Sequence, residues 1–201
     1  MDLLFLQNDI QKKLKNMKFR HYIIEGCDRL SKSTLVNQIK HTYGFFQVVH
    51  YGKPEQLDYY KQHVWYNDSA YCYQIDSFSN GLNALRPGQN TKFIFDRFHL
   101  GEVVYSPRYR GYSGDYVFTL EDNSQVDTWD HVALILLTTS DWSFIQDDGD
   151  SFDFSKKEEE QHSFIEAFNK SIFKHKFLID VNNNGFYKDT SDILAEITRG
   201  E

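Results

Sequence analysis

The stretch Ile23-Ile24-Glu25-Gly26-Cys27-Asp28-Arg29-Leu30-Ser31-Lys32-Ser33-Thr34 runs from a short apolar segment, through a glycine-bearing turn, into a segment of helical character. That is the setting of a phosphate-binding loop. In the pattern G-x-x-x-x-G-K-[ST], loop amides and the helix N-terminus surround phosphate oxygens, the lysine contacts them, and the final hydroxyl holds magnesium. Gly26, Lys32 and Ser33 fit this pattern, with Lys32 read as an exposed loop lysine. Ser31 stands where the second glycine belongs, and a residue with a Cβ is strained there if its φ is positive. Without a ligand, the same residues read as a helix capped by a serine.

Outward from this loop, five short apolar runs read as strands: Tyr22 to Ile24, Phe45 to Val49, Phe93 to Phe95, Val132 to Leu137 and Phe177 to Val181. Continuous apolarity suits strands covered on both faces, as in a parallel sheet, and the intervening segments can hold crossover helices. Helices are expected over Lys32 to Tyr43, Leu57 to Leu85, a segment after Phe98, Lys157 to Phe173 and Ser191 to Thr198. The class is α/β. No linker, repeat or low-complexity tract divides the 201 residues, so one domain over 1–201 is expected. Ser140 to Phe154, with Asp141, Asp147, Asp148, Asp150 and Asp153, reads as a solvated acidic loop or as a lid, placed at about 140–157.

Composition narrows the functions. Twenty-two basic against 29 acidic residues leave −7, which argues against an extended nucleic-acid surface. Two cysteines, Cys27 and Cys72, make neither a disulfide framework nor a zinc site, and imply a reducing compartment, with the cytoplasm expected. Leu3-Leu4-Phe5-Leu6, followed by polar residues and Lys12, Lys13, Lys15 and Lys18, is neither a signal peptide nor a membrane span.

The loop E-G-C-D-R-L-S-K-S-T resembles that of thymidylate kinases carrying an arginine in the phosphate loop, E-G-x-D-R-x-G-K-S-T, and Phe95-Asp96-Arg97-Phe98 resembles the family's aspartate-arginine-aromatic block. The run D-R-F-H-L-G-E-V-V-Y-S-P-R-Y-R-G is also similar to kinases of large DNA phages, which would place the protein in a host cytoplasm. The resemblance implies a three-layer P-loop kinase fold, with a five-stranded parallel sheet flanked by helices and a lid. It implies ATP and Mg2+ as cofactors, and transfer of the ATP γ-phosphate to a deoxynucleoside monophosphate, dTMP first. It implies no membrane partner and leaves a homodimer open. A nucleoside or modified-base kinase of the same fold is the alternative enzyme. A nucleotide-binding module with a degenerate loop and no turnover is the alternative outside catalysis.

By the same resemblance, Gly26 to Thr34 bind the ATP phosphates, Asp28 accepts a bond from the sugar 3′-hydroxyl, and Ser33 and Asp96 serve the metal. Lys32, Arg29 and Arg97 can supply the cations that phosphoryl transfer needs. The segment 140–157 contains no arginine, so Arg29 is read as taking the role that a lid arginine has in many small kinases, with Lys156 and Lys157 as helpers or rivals. Each has a plainer reading: Asp28 caps its own loop, and Asp96 accepts bonds from the turn. Arg97, Arg108 and Arg110, near Tyr105, Tyr109 and Tyr112, suit the acceptor phosphate, unless Arg108 and Arg110 decorate a turn after Pro107. Glu102 is read as bonding a sugar hydroxyl or pairing with one of these arginines. Lys53, before Pro54, resembles the family's acceptor-phosphate turn. Among Trp65, Tyr66, Tyr71, Tyr73 and Phe78, one could stack on the base while most build the core. His99 reads as structural.

Overall fold

A computed structural model describes residues 18–52, 66–146 and 153–199, with the backbone alone at 66–69. Lys53, Pro54, the expected helix before Tyr66, Trp65, the side chain of Tyr66, Asp147, Asp148, Asp150 and the amino-terminal Leu3 to Lys15 lie outside the described residues.

The chain alternates β1 (His21–Glu25), α1 (Lys32–Tyr43), β2 (Gln47–His50), α2 (Tyr66–Leu85), β3 (Phe93–Asp96), α3 (Leu100–Tyr109), α4 (Tyr116–Ser124), β4 (Val132–Thr138), α5 (Lys157–Lys170) and β5 (His175–Asp180). A hairpin of β6 (Asn182–Asn183) and β7 (Phe186–Tyr187) then leads into α6 (Thr190–Arg199). β1 to β5 form one parallel sheet in the order β2-β3-β1-β4-β5.

The apolar runs therefore become strands, but not all are covered on both faces. β1 and β4 are buried at every position, as central strands of a helix-covered sheet should be. β2 and β5 are edges. Val48 is 37% exposed and Leu178 49%, and Phe45, expected within β2, precedes it at 76% exposure. α1 packs beside α6, α2 beside α4, and α3 beside α5, flanking the sheet. α4 had no counterpart among the expected helices. α5 ends at Lys170, three residues short of its expected end, and its carbonyl at Ala167 accepts from the N–H of Ser171.

Two devices fix the sheet's C-terminal edge. Gly26 leaves β1 at φ +136°, and a Cβ there would stand 2.5 Å from the carbonyl oxygen of Leu137, so β4 and the loop approach closely only because that side chain is missing. Buried Glu25 takes the N–H of Leu100 on one carboxylate oxygen at 2.9 Å, tying β1 to the start of α3.

Candidate functional site

The loop between β1 and α1 opens into a cleft of about 320 Å³ lined by Asp28, Arg29, Ser31 to Thr34, His50, Asp96, Arg97 and Tyr187. Ser31 occupies the left-handed region, φ +58°, ψ +25°, the conformation that makes glycine the usual residue there. Its side chain makes no capping bond to α1, and the first turn of that helix carries no acidic residue. The serine-cap reading thus fails in its physical content: Ser31 sits at the cap position without doing what a cap does. Arg29 also has positive φ, +71°, and its carbonyl accepts the Tyr187 hydroxyl.

Lys32 is not exposed, as a loop lysine was expected to be. It is 94% buried beneath the loop, with Nζ donating to the Cys27 carbonyl at 2.5 Å. Burial, aided by the charge of Arg97, pulls its ammonium down to about 8. Cys27 is buried in the loop's floor, and its Sγ faces the Lys157 carbonyl oxygen at 3.7 Å. Leu30 is wholly buried and anchors the loop to the core.

Asp28 is the electrostatic centre. One carboxylate oxygen bonds Arg97 and lies 3.9 Å from Lys32 Nζ; the other lies 3.8 Å from Lys157 Nζ. Burial pushes its carboxyl up, and the three cations outweigh that, holding it below the usual carboxylate range.

The parallel register of β2 and β3 places His50 beside Asp96, and His50 Nδ1 lies 3.0 Å from Asp96 Oδ2. Asp96 Oδ1 is buried with no hydrogen-bond partner among the described residues. An orphan carboxylate oxygen in the cleft that Ser33 also lines fits a hard cation such as Mg2+, which takes oxygen ligands and keeps several waters. Arg97, too, is left-handed at φ +65°, and its N–H donates to the Ile24 carbonyl.

The remaining candidates do not converge on the cleft. Arg110 pairs with Glu102, whose carboxylate also takes the hydroxyls of Tyr112 at 2.7 Å and Tyr116 at 3.1 Å. Glu102 is buried and the Arg110 side chain is 9% exposed, and Tyr71 packs edge-on against Tyr112 and Tyr116. Arg108 turns to α5, bonding Ser163 at 2.8 Å and Glu159 at 3.2 Å. Phe78 belongs to the core with Tyr51 and Phe98, and Tyr73 is 61% exposed. His99 is buried, its Nε2 facing Glu121 at 2.5 Å.

The sequence reading passed over His50, Tyr187 and Glu160. The first two line the cleft, and the third holds Lys157 Nζ at 2.8 Å. Only Tyr187 had a local signal, the Asn184-Gly185 pair that turns the β6–β7 hairpin with both residues at positive φ.

No family model and no curated protein matches this sequence. Solved structures do match in fold. The chain is similar to the YorR protein of Bacillus subtilis in complex with phosphorylated GDP, with a TM-score of 0.56 and 15% identity over 88% of this chain and 92% of that one. It is also similar to polyphosphate kinase 2 from Arthrobacter aurescens TC1, with a TM-score of 0.55 and 13% identity over 98% of this chain and 78% of that one. The five-stranded parallel sheet with its flanking helices is the P-loop kinase fold of these neighbours.

Proposed function

We propose that this protein is an ATP-dependent kinase that phosphorylates a nucleotide, and that its acceptor is a deoxynucleoside monophosphate, dTMP first. The observation that carries the reading is the cleft itself, lined by Arg29, Lys32 and Ser33 from the loop and the start of α1 and by Asp96 and Arg97 from the end of β3. The likeness to one protein solved with phosphorylated GDP and to a polyphosphate kinase supports chemistry on phosphate chains. The deoxynucleotide acceptor rests on the resemblance of the two sequence blocks.

In this reading the loop residues Gly26 to Thr34 bind the donor phosphates, and Lys32 and Arg29 face the transferring group. Ser33 and Asp96 would hold Mg2+, which when bound neutralises charge on the β- and γ-phosphates. Arg97 orients the acceptor's phosphate. An acceptor oxygen forms a bond to the γ-phosphorus as the bond to the β–γ bridging oxygen breaks and ADP leaves. A phosphate acceptor is already anionic at neutral pH, so the chain needs to align and to stabilise charge rather than supply a nucleophile.

One observation favours a hydroxyl acceptor instead. Arg108 and Arg110 are held by acidic side chains away from the cleft, and Arg97, which lines it, is already bonded by Asp28, so of these three arginines none stands uncommitted for an acceptor phosphate. A coupled ADP-release assay across dNMPs, NMPs and nucleosides separates the readings. The proposal expects turnover with dNMPs, dTMP foremost. Turnover with nucleosides alone would transfer the site to the alternative, and no turnover with any of them would leave a binding module.

A further inference from the structure

Lys157 is the first residue of α5, far in sequence from the phosphate loop, and its side chain is 4% exposed. A lysine held that dry needs compensation, and this one has two acidic partners: Glu160 Oε2 at 2.8 Å on its own helix and Asp28 Oδ2 at 3.8 Å on the loop. Glu160 is itself held from α3 by the Tyr109 hydroxyl at 3.1 Å. The Cys27 thiol meets the Lys157 carbonyl, so α5 and the loop are joined through backbone and side chain alike. Three cations, Arg97, Lys32 and Lys157, thus converge on the Asp28 carboxylate while Glu160 offsets one of them, so the cluster keeps an excess of positive charge that a phosphate group can meet.

We propose that Lys157 is a third cation of the phosphate site, screened from it at rest by the Asp28 carboxylate, which stands in for the anion of the substrate. Asp28 lines the cleft and Lys157 lies behind it, so the aspartate tempers the field that a bound phosphate feels. Glu160, 2.8 Å from the Lys157 ammonium, holds it aimed at the loop. This rests on the reading of the cleft as a phosphate site, and adds to it a cation from a helix that neither sequence block contains.

The probe is inorganic tripolyphosphate, which has phosphates but no sugar, titrated calorimetrically into the full chain without turnover. Asp28→Asn should bind it about tenfold more tightly than wild type, and the paired change K157M/E160Q, which removes both charges of the buried pair while conserving volume, should weaken it about tenfold. Lys157→Arg should retain most of the affinity. Thermal melts confirm that each variant is folded before titration, and if K157M/E160Q does not fold, Lys157→Gln in its place should weaken binding about tenfold, an unchanged affinity overturning the role of Lys157. If Lys32→Ala abolishes binding but K157M/E160Q leaves it unchanged, the role of Lys157 is overturned whatever Asp28→Asn does, while the phosphate site stands. If wild type binds no tripolyphosphate, both fall.

Discussion

The hydroxyl of Tyr187 donates to the carbonyl oxygen of Arg29 over 2.7 Å, so a hairpin beyond the last strand of the sheet pins a loop residue whose own φ is +71°. If that loop presents Arg29 to the transferring phosphoryl group, Arg29→Ala should lower kcat by about a hundredfold or more with little change in the KM for ATP, as loss of a transition-state contact does. Arg29→Lys should recover only part, because a point charge does not reproduce the guanidinium fork. Tyr187→Phe keeps the ring and drops the donor, and should cost roughly fivefold. Steady-state kinetics on these variants check the set, and a silent Arg29→Ala would shift the role to Lys156 and Lys157.

The two backbone devices of the loop should respond oppositely to substitution. Ser31→Gly relieves left-handed strain of about 1 kcal/mol but gives back some entropy to the unfolded chain, so stability should move by less than about 1 kcal/mol while ATP affinity holds or rises. A marked loss of affinity would show that the Ser31 hydroxyl has its own contact. Gly26→Ala forces a Cβ against the Leu137 carbonyl at a φ of +136° and should destabilise by at least about 2 kcal/mol. Denaturant melts measure both.

Glu102 and Arg108, both candidates for the acceptor site, should part company on stability. Glu102→Ala leaves the largely covered Arg110 charge unpaired and the Tyr112 and Tyr116 hydroxyls without their acceptor, a loss of about 3 kcal/mol. Arg108 pairs with an exposed Glu159 and otherwise bonds the Val104 carbonyl and the Ser163 hydroxyl, and Arg108→Ala should cost about 1 kcal/mol. Urea unfolding of the two variants is the measurement. Equal losses would mean that the Glu102 cluster does not hold α3 to α4.

Glu121 gives the fold a defined acid limit. Burial pushes its carboxyl up, but bonds from His99, the Ser171 hydroxyl and the Ile172 N–H together bring it below the usual 4.5. A carboxyl lowered in the folded state contributes stability that is present above its unfolded value of 4.5 and is lost as pH falls through the folded value. Unfolding free energy measured from pH 7 to pH 3 should therefore drop below about pH 4.5, and the drop should be shallower in Glu121→Gln. Parallel curves for the two proteins would refute this assignment.

What the sequence made legible is what local pattern determines. Lys32–Tyr43 forms its helix over the expected residues, since the loop motif marks its start and Gly44 its end. β1, β3 and β4 announce themselves as apolar runs, and the strained position of Ser31 follows from its place in the motif. What stayed hidden depends on partners distant in sequence. His50 meets Asp96 only through the parallel register of β2 with β3. Arg108, in the last turn of α3, and Arg110, just past its end, point in different directions, one toward α5 and the other to Glu102. The burial of Lys157 needs α5 docked against α3, and the exposure of Val48 follows from β2 lying at the sheet's edge, which no apolar run reveals.

The position of β1 between β3 and β4 also sets an order of events in synthesis. Tyr22 is bordered by Ile94 on one side and Ala133 on the other, and the backbone of Leu137 walls the turn at Gly26. The twelve residues of the motif leave the ribosome before either wall, the β3 neighbour of Tyr22 lying 72 residues further on (94 − 22) and the β4 neighbour 111 (133 − 22). Such long-range parallel pairing is slow to form and cannot begin until both neighbours exist. A nascent chain that stops short of β4 carries the whole nucleotide signature in its sequence and has no pocket in which to use it.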